Sequence, residues 1–151
     1  MSLYKERNYL LYLLAKQDYS RYQLSMKLHK RENISPEEID SLLDILEKNK
    51  WLSDKRFVEV FITSEVGKLR GKKWIINTAV YNKGLARDLV DSALENIEID
   101  WFELCRKCLL KKYKDISALH KNISLKQKAM NYLAYNGFNY EQISFAINNE
   151  T

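Results

Sequence analysis

Cysteine and histidine occur only twice each in the 151-residue chain, glycine four times and proline once. Each scarcity excludes something. A catalytic metal centre draws several ligands from Cys and His, so hydrolysis at a metal starts with little support, and neither a metal nor another cofactor is expected. Four glycines cannot furnish a Gly-rich phosphate loop. With a single proline they are also too little punctuation for a sandwich or barrel, which turns about every ten residues. No apolar run approaches a membrane span: the longest, Tyr9 to Ala15, stops at Lys16, Gln17 and Asp18. No export signal is read either, and two closely spaced cysteines suit a reducing compartment, so a cytoplasmic location is expected.

What is present is apolar material and charge. Hydrophobic residues make up 46% of the chain and charged residues 30%, enough to bury a core and stay in solution. Apolar residues recur at three and four, as in Leu10, Leu13 and Leu14, then Ile39, Leu42, Leu43 and Leu46, then Phe57, Val60 and Phe61. No sustained alternation marks a strand, so the fold class is all-α.

The pattern also repeats. Ile34, Leu85 and Phe138 stand 51 and 53 positions apart, each preceded by Asn or Gly and each followed five residues on by Ile39, Val90 or Ile143. Upstream of each anchor an amphipathic segment ends in Leu28, Val80 or Leu133, with one extra residue in the first copy. Asn33 replaces glycine there and tolerates the left-handed backbone that ends a helix. The domains expected are therefore three helical repeats, 1–51, 52–99 and 100–151, tandem helix-turn-helix-like units of three helices in an elongated array.

Helix starts are read from a small polar side chain followed three residues later by Glu or Gln, each able to satisfy the other's backbone N–H. Five such pairs occur: Ser20 with Gln23, Ser35 with Glu38, Asp100 with Glu103, Ser124 with Gln127, and Asn139 with Gln142. The predicted helices are 4–17, 20–31, 35–49, 53–67, 71–83, 86–96, 100–116, 124–136 and 139–149.

Candidate chemistry is sparse. Cys105 and Cys108 form a C-x-x-C inside a predicted helix with no second pair, so packing of small thiols is favoured over zinc or redox work. No nucleophile motif surrounds any Ser, and His29 reads as a solvated helix residue. No catalytic residue is assigned, and the chain is not expected to be an enzyme. Trp51, Trp74 and Trp101 lie near helix ends, where packing suits them better than base stacking.

Two basic stretches are better candidates. Lys68, Arg70, Lys72 and Lys73 cluster at a helix junction and on the first turn of the next helix, where cations oppose the macrodipole and helix stability does not account for them. Arg106, Lys107, Lys111, Lys112 and Lys114 form the second, with 107, 111 and 114 on one predicted helix face. The formal charge of +5 is modest and is concentrated in 100–151, where eight basic residues meet five acidic ones. That excess suits an acidic protein surface or nucleic acid, not a dedicated DNA-binding domain.

Ser20, Leu24, Lys27 and Leu28, with Gln23 in the place of Glu, follow S-x-x-E-L-x-x-K-L. Trp51 to Val58 follow G-L-L-D-D-x-R-F-A, and Gly71, Ile75 and Lys83-Gly84-Leu85 continue as k-G-x-x-x-I-x-x-x-L-x-x-K-G-I. Lys126, Lys128, Leu133 and Gly137-Phe138 match K-x-K-x-x-x-F-L-x-x-R-G-F, with Asn136 where the pattern has Arg. In order and spacing these resemble the RecX family of bacterial regulatory proteins, modulators of the RecA recombinase. The resemblance implies all-α three-helix repeats in an elongated, curved protein that lies in the groove of a RecA filament on single-stranded DNA, inhibiting ATP hydrolysis, strand exchange and co-protease activity; a monomer is expected. Lys68, Arg70, Lys72, Lys73, Arg106, Lys107, Lys111 and Lys112 would then face the filament or its DNA. The alternative is a tandem helix-turn-helix module that binds nucleic acid without a protein partner.

Overall fold

Residues 3–148 are described by the computed structural model, and among them are ten α-helices, one π-helical turn and no strand. In chain order the helices are α1 Tyr4–Lys16, α2 Arg21–His29, α3 Pro36–Lys48, α4 Asp54–Gly67, α5 Lys72–Asn77, α6 Arg87–Glu95, α7 Trp101–Lys112, α8 Ile116–Lys121, α9 Ile123–Tyr135 and α10 Tyr140–Asn148. The all-α expectation holds. The last residue of the predicted helix 139–149 lies outside the described residues.

Local chemistry explains most of the starts. Ser20 with Gln23 and Ser35 with Glu38 close reciprocal capping boxes, the second with Pro36 at the first helical position. Asn139 and Gln142 exchange the same two bonds, at 2.8 and 3.0 Å. Asp100 accepts from the Glu103 N–H, but the Glu103 carboxylate turns to Arg106 instead of back to the cap. The pair Ser124 and Gln127 does not form a cap: Asn122 takes that role two residues earlier, accepting from the Leu125 N–H. Helix 100–116 is also shorter than predicted, because α7 ends at Lys112 and Asp115 caps the separate short helix α8. A side chain that accepts a backbone N–H three residues on competes with continuing the helix through it.

The chain forms two compact units, Met1–Val60 with Ala79–Ala93, and Phe61–Thr78 with Leu94–Thr151. The segment 52–99 contributes to both. Unit 1 buries Leu10, Leu24, Leu28, Ile39, Leu42, Leu43, Leu46 and Leu52 where α2 packs on α3. Unit 2 buries Leu104, Cys105, Cys108, Leu109, Leu119, Leu133, Phe138 and Ile143, with α7 packed on α10 and both on α9. Helix α4 supplies residues to each unit and buries Phe57, Val58, Phe61 and Ile62. Val60, predicted on its apolar face, is 55% exposed, because the buried face runs through Phe57, Val58, Phe61, Ile62 and Glu65 and Val60 lies to one side of it.

The segment before Leu85 also differs from the expectation. Ala79, not Val80, is fully buried, and a π-helical turn, Thr78–Asn82, lets the Leu85 N–H reach the Ala79 carbonyl at 3.0 Å. In the third copy Phe138 N–H reaches the Leu133 carbonyl, one residue closer. The extra residue read in the first copy is thus present in the second, absorbed as a π-turn.

Gly137, at φ 98°, ends α9 in the left-handed region, as the glycine before the Phe138 anchor predicts. Against this turn sits Gly71: its N–H donates to the Asn136 carbonyl at 2.6 Å and the Lys73 N–H to the Gly137 carbonyl at 3.2 Å. The equivalent position in the first copy, Ser20, donates its hydroxyl to the Lys83 carbonyl at 2.6 Å within unit 1. In both units the start of one repeat's middle helix docks on the Gly turn of the next repeat.

Two helices end in a left-handed residue that is not glycine. Lys50 stands at φ 61°, its N–H donating to the Glu47 carbonyl and that of Trp51 to Leu46. The Lys50 side chain is exposed, so Lys50→Gly removes the strain and no buried contact. A gain of about 0.5 kcal/mol is expected in urea unfolding; a loss would show that the lysine side chain stabilises the turn. Trp51, expected to pack, is 45% exposed.

Candidate functional site

Leu69, at φ 63°, is the second strained helix end. Its N–H donates to the Val66 carbonyl and that of Arg70 to Glu65, closing a Schellman turn in which the leucine packs on the unit 2 core. This turn reverses the chain and sends Arg70 back over unit 2. The Arg70 guanidinium lies 4.3 Å from the Trp74 ring centroid, and its Nη1 donates to Asn136 Oδ1 at 2.9 Å. Asn136 is itself held by donating Nδ2–H to the Tyr132 carbonyl at 2.8 Å. Arg70 Nε is buried with no partner among the described residues.

Lys68, Lys72 and Lys73 are exposed, and Lys68 pairs with the buried Glu65 at 3.3 Å. Lys72 and Lys73 occupy the first turn of α5, as predicted. The Gly71 and Lys73 N–H groups, however, are already spent on the carbonyls of Asn136 and Gly137. An anion there would meet lysine side chains, not the donors of a free helix end.

The second basic stretch divides. Lys107 and Lys111 are exposed one turn apart on α7. Lys112 lies 4.2 Å from the Tyr132 ring centroid and 5.9 Å from that of Tyr113, and the two rings meet edge to face at 6.2 Å. Arg106 turns elsewhere: it pairs with Glu103 at 3.2 Å and lines a cavity of about 320 Å³ with Leu110, Lys114, Asp115, Ile116 and Ser117. Its Nε is likewise buried without a partner. Lys114, expected on the face of 107 and 111, lies beyond the end of α7 and borders this cavity instead.

Cys108 is buried in the unit 2 core beside Cys105 and Leu109. Burial pushes its thiol up, while the hydrogen bond with Tyr132 and the charges of Arg70, Lys111 and Lys112 pull the other way. Arg70 reaches Tyr132 through Asn136, and Lys112 lies over the Tyr132 ring, so the two stretches meet on α9 although 70 and 112 are 42 positions apart in the chain. Burial, with Cys108 adjacent, pushes the Cys105 thiol up to about 12. Both sulfurs are held as neutral core atoms, not nucleophiles. Among the described residues no cluster of three or more His, Cys, Asp or Glu side chains is placed to hold a metal ion.

Sequence reasoning missed the supporting residues Trp74, Tyr113, Tyr132 and Asn136. Asn136 and Tyr132 meet Arg70 and Lys112 from far along the chain, with no local signal, whereas the i, i+4 spacing of Arg70 with Trp74 and the adjacency of Lys112 and Tyr113 were available in the sequence. His120 Nε2 lies 2.9 Å from the Ile147 carbonyl, a tie between α8 and α10 that also had no sequence signature.

Comparison with known proteins gives a consistent family. The model of the third three-helix domain of RecX matches residues 98–147. The regulatory protein RecX of Haemophilus influenzae (strain PittEE) is 33% identical over 137 residues, covering 91% of this chain and 89% of its own. That of Actinobacillus pleuropneumoniae serotype 5b (strain L20) is 35% identical over 144 residues, covering 95% and 91%. Among solved structures, a crystal structure of regulatory protein RecX superposes with a TM-score of 0.79 at 20% identity, over 97% of this chain and 72% of that one. RecX from Lactobacillus salivarius gives 0.75 at 20% identity, over 95% and 92%. At that identity the two structures speak for the fold alone.

Proposed function

The chain belongs to the RecX family of regulatory proteins, and from that premise we propose that it lodges on a RecA recombinase filament assembled on single-stranded DNA. There it holds back ATP hydrolysis, strand exchange and co-protease action. In this reading the chain works as a cytoplasmic monomer, and control is exerted by occupancy. Binding energy shifts the filament only through a difference in affinity between its states, so the chain must favour a filament conformation that turns over slowly.

The observation that supports the reading is the meeting of the two basic stretches on α9: Arg70 donates to Asn136, Asn136 donates to the Tyr132 carbonyl, and Lys112 lies over the Tyr132 ring. Arg70 and Lys112 are each seated on an aromatic ring, which limits where the charge can go and lowers the entropy lost on contact. Lys72 and Lys73 stand exposed in the same unit, with no carboxylate in ion-pair range among the described residues. Lys68, Arg106 and Lys107 extend the basic surface, the first two partly neutralised by Glu65 and Glu103. The three repeats 1–51, 52–99 and 100–151 would offer the filament a repeated helical edge.

Co-sedimentation tests the assignment. In salt high enough to release the chain from bare single-stranded DNA, it should still pellet with recombinase filaments on that DNA, because protein contacts are less salt-sensitive than phosphate contacts. Equal loss from filaments and from bare DNA would contradict a recombinase partner.

A further inference from the structure

The first repeat is close to neutral as a whole, with nine basic and eight acidic residues in 1–51, but its charge is sharply divided. Residues 3–32, which form α1 and α2, carry seven Lys and Arg against three Asp and Glu; residues 33–50, which form α3, carry two against five. Among the described residues Arg21 alone of these seven cations pairs with the acidic helix, with Asp44 at 2.8 Å and also with Glu47 and Asp40. Four of the other six cations in 3–32, Arg7, Lys16, Lys27 and Arg31, lie against tyrosine rings. Lys16 Nζ lies 4.3 Å from the Tyr12 ring centroid, Arg31 4.3 Å from Tyr9, and Lys27 5.6 Å from Tyr19. None of Lys16, Lys27 or Arg31 has an ion-pair partner among the described residues.

Spacing aligns these groups. Lys5, Tyr9, Tyr12 and Lys16 fall at i, i+4, i+7 and i+11 of α1, one stripe ~16 Å long. Arg31, just past α2, closes over Tyr9 and joins the stripe to the second helix. Tyr9 and Tyr19 root in the unit 1 core, whereas Tyr12 is 57% exposed. Helix dipoles account for Lys16 and Lys27, which sit in last turns, but Lys5 lies in a first turn, where a cation is opposed. Positive charge spaced beside an exposed ring is the chemistry that holds a flexible polyanion with π-faces.

We propose that the α1–α2 face of unit 1 is a track for single-stranded nucleic acid, with Tyr12 stacking on a base and Lys5, Lys16 and Arg31 holding phosphates. This site shares no residue with the basic surface assigned to the recombinase. The test uses the full chain, no recombinase, and a short fluorescent oligothymidylate followed by anisotropy. Wild-type affinity should fall log-linearly with salt. Tyr12→Ala should weaken binding about tenfold and Tyr12→Phe should restore it, since the ring and not the hydroxyl is used. Lys16→Ala should lower the salt slope by about one. Tyr12 is exposed, and an unchanged thermal melt shows that its variants fold. Equal affinity of Tyr12→Ala and wild type, or tighter binding to duplex than to single strand, would overturn the proposal. So would loss of binding in a Lys72→Glu, Lys73→Glu variant, which would put the DNA on unit 2. Because recombinase is absent, failure here leaves the filament reading standing, and failure of that reading leaves this one.

Discussion

Gly71→Ala should destabilise the chain by roughly 3 kcal/mol, on the order of 10 °C in Tm. A Cβ at this position would stand 2.4 Å from the Gly137 carbonyl carbon, 2.5 Å from its oxygen and 2.7 Å from the Phe138 nitrogen. All three are backbone atoms, so no flexible side chain can yield. The start of α5 must retreat from the Gly137 turn, and the bonds from Gly71 to Asn136 and from Lys73 to Gly137 are lost together. Gly67 is the matched control. It ends α4 with nothing within 4 Å of an added Cβ, so Gly67→Ala should gain about 0.5 kcal/mol by reducing the freedom of the unfolded chain. Urea unfolding followed by tryptophan fluorescence reads both. Equal midpoints for the two variants would show that the docking of α5 on the Gly137 turn is not tight.

Reversing Lys72 and Lys73 to Glu should raise the amount of chain needed for half-inhibition of recombinase ATPase by at least about tenfold. Stability should move the other way. Acidic side chains in a first turn favour the macrodipole by a few tenths of a kcal/mol each, so the variant's Tm should equal or exceed that of the wild type. This opposition separates function from folding, because a variant that loses activity while gaining stability has lost a surface. An unchanged midpoint for inhibition would remove both lysines from the site. Arg70 is a poorer test: its bond to Asn136 and its seat on Trp74 make it part of the architecture, so its removal confounds the two effects.

Much of the fold was legible because it is written in local chemistry. The Ser20 and Ser35 boxes, Pro36 at the start of α3, and a left-handed residue before each apolar anchor are rules that act within five residues, and Asn33, Gly84 and Gly137 all have positive φ. Where local rules competed, the reading failed. Asn122 outbid Ser124 as a cap, Asp115 opened a helix inside a continuous basic run, and Ala79 took the buried position by way of a π-turn. Leu69 and Lys50 adopt a conformation their residue types disfavour, which only the packing around each turn sustains.

The candidate site was legible as residues but not as an arrangement. Lysine-rich stretches are visible in any sequence. That Arg70 and Lys112 reach α9 at Asn136 and Tyr132, while Arg106 turns to a separate cavity, follows from how α5, α7 and α9 pack. The same holds for Gly71: its place at a helix start is apparent, but the backbone 2.6 Å away belongs to residue 136. The charge division of the first repeat was concealed for a simpler reason, since summing over the repeat cancels α1 and α2 against α3.

The central claim is that this chain governs a recombinase by adhering to its filament. ATP turnover by the cognate RecA recombinase on single-stranded DNA, measured while the wild-type chain is titrated to saturation, tests it most directly. Turnover should fall with the amount of chain bound and level off once the filament is covered. Turnover unchanged at saturation would contradict the account.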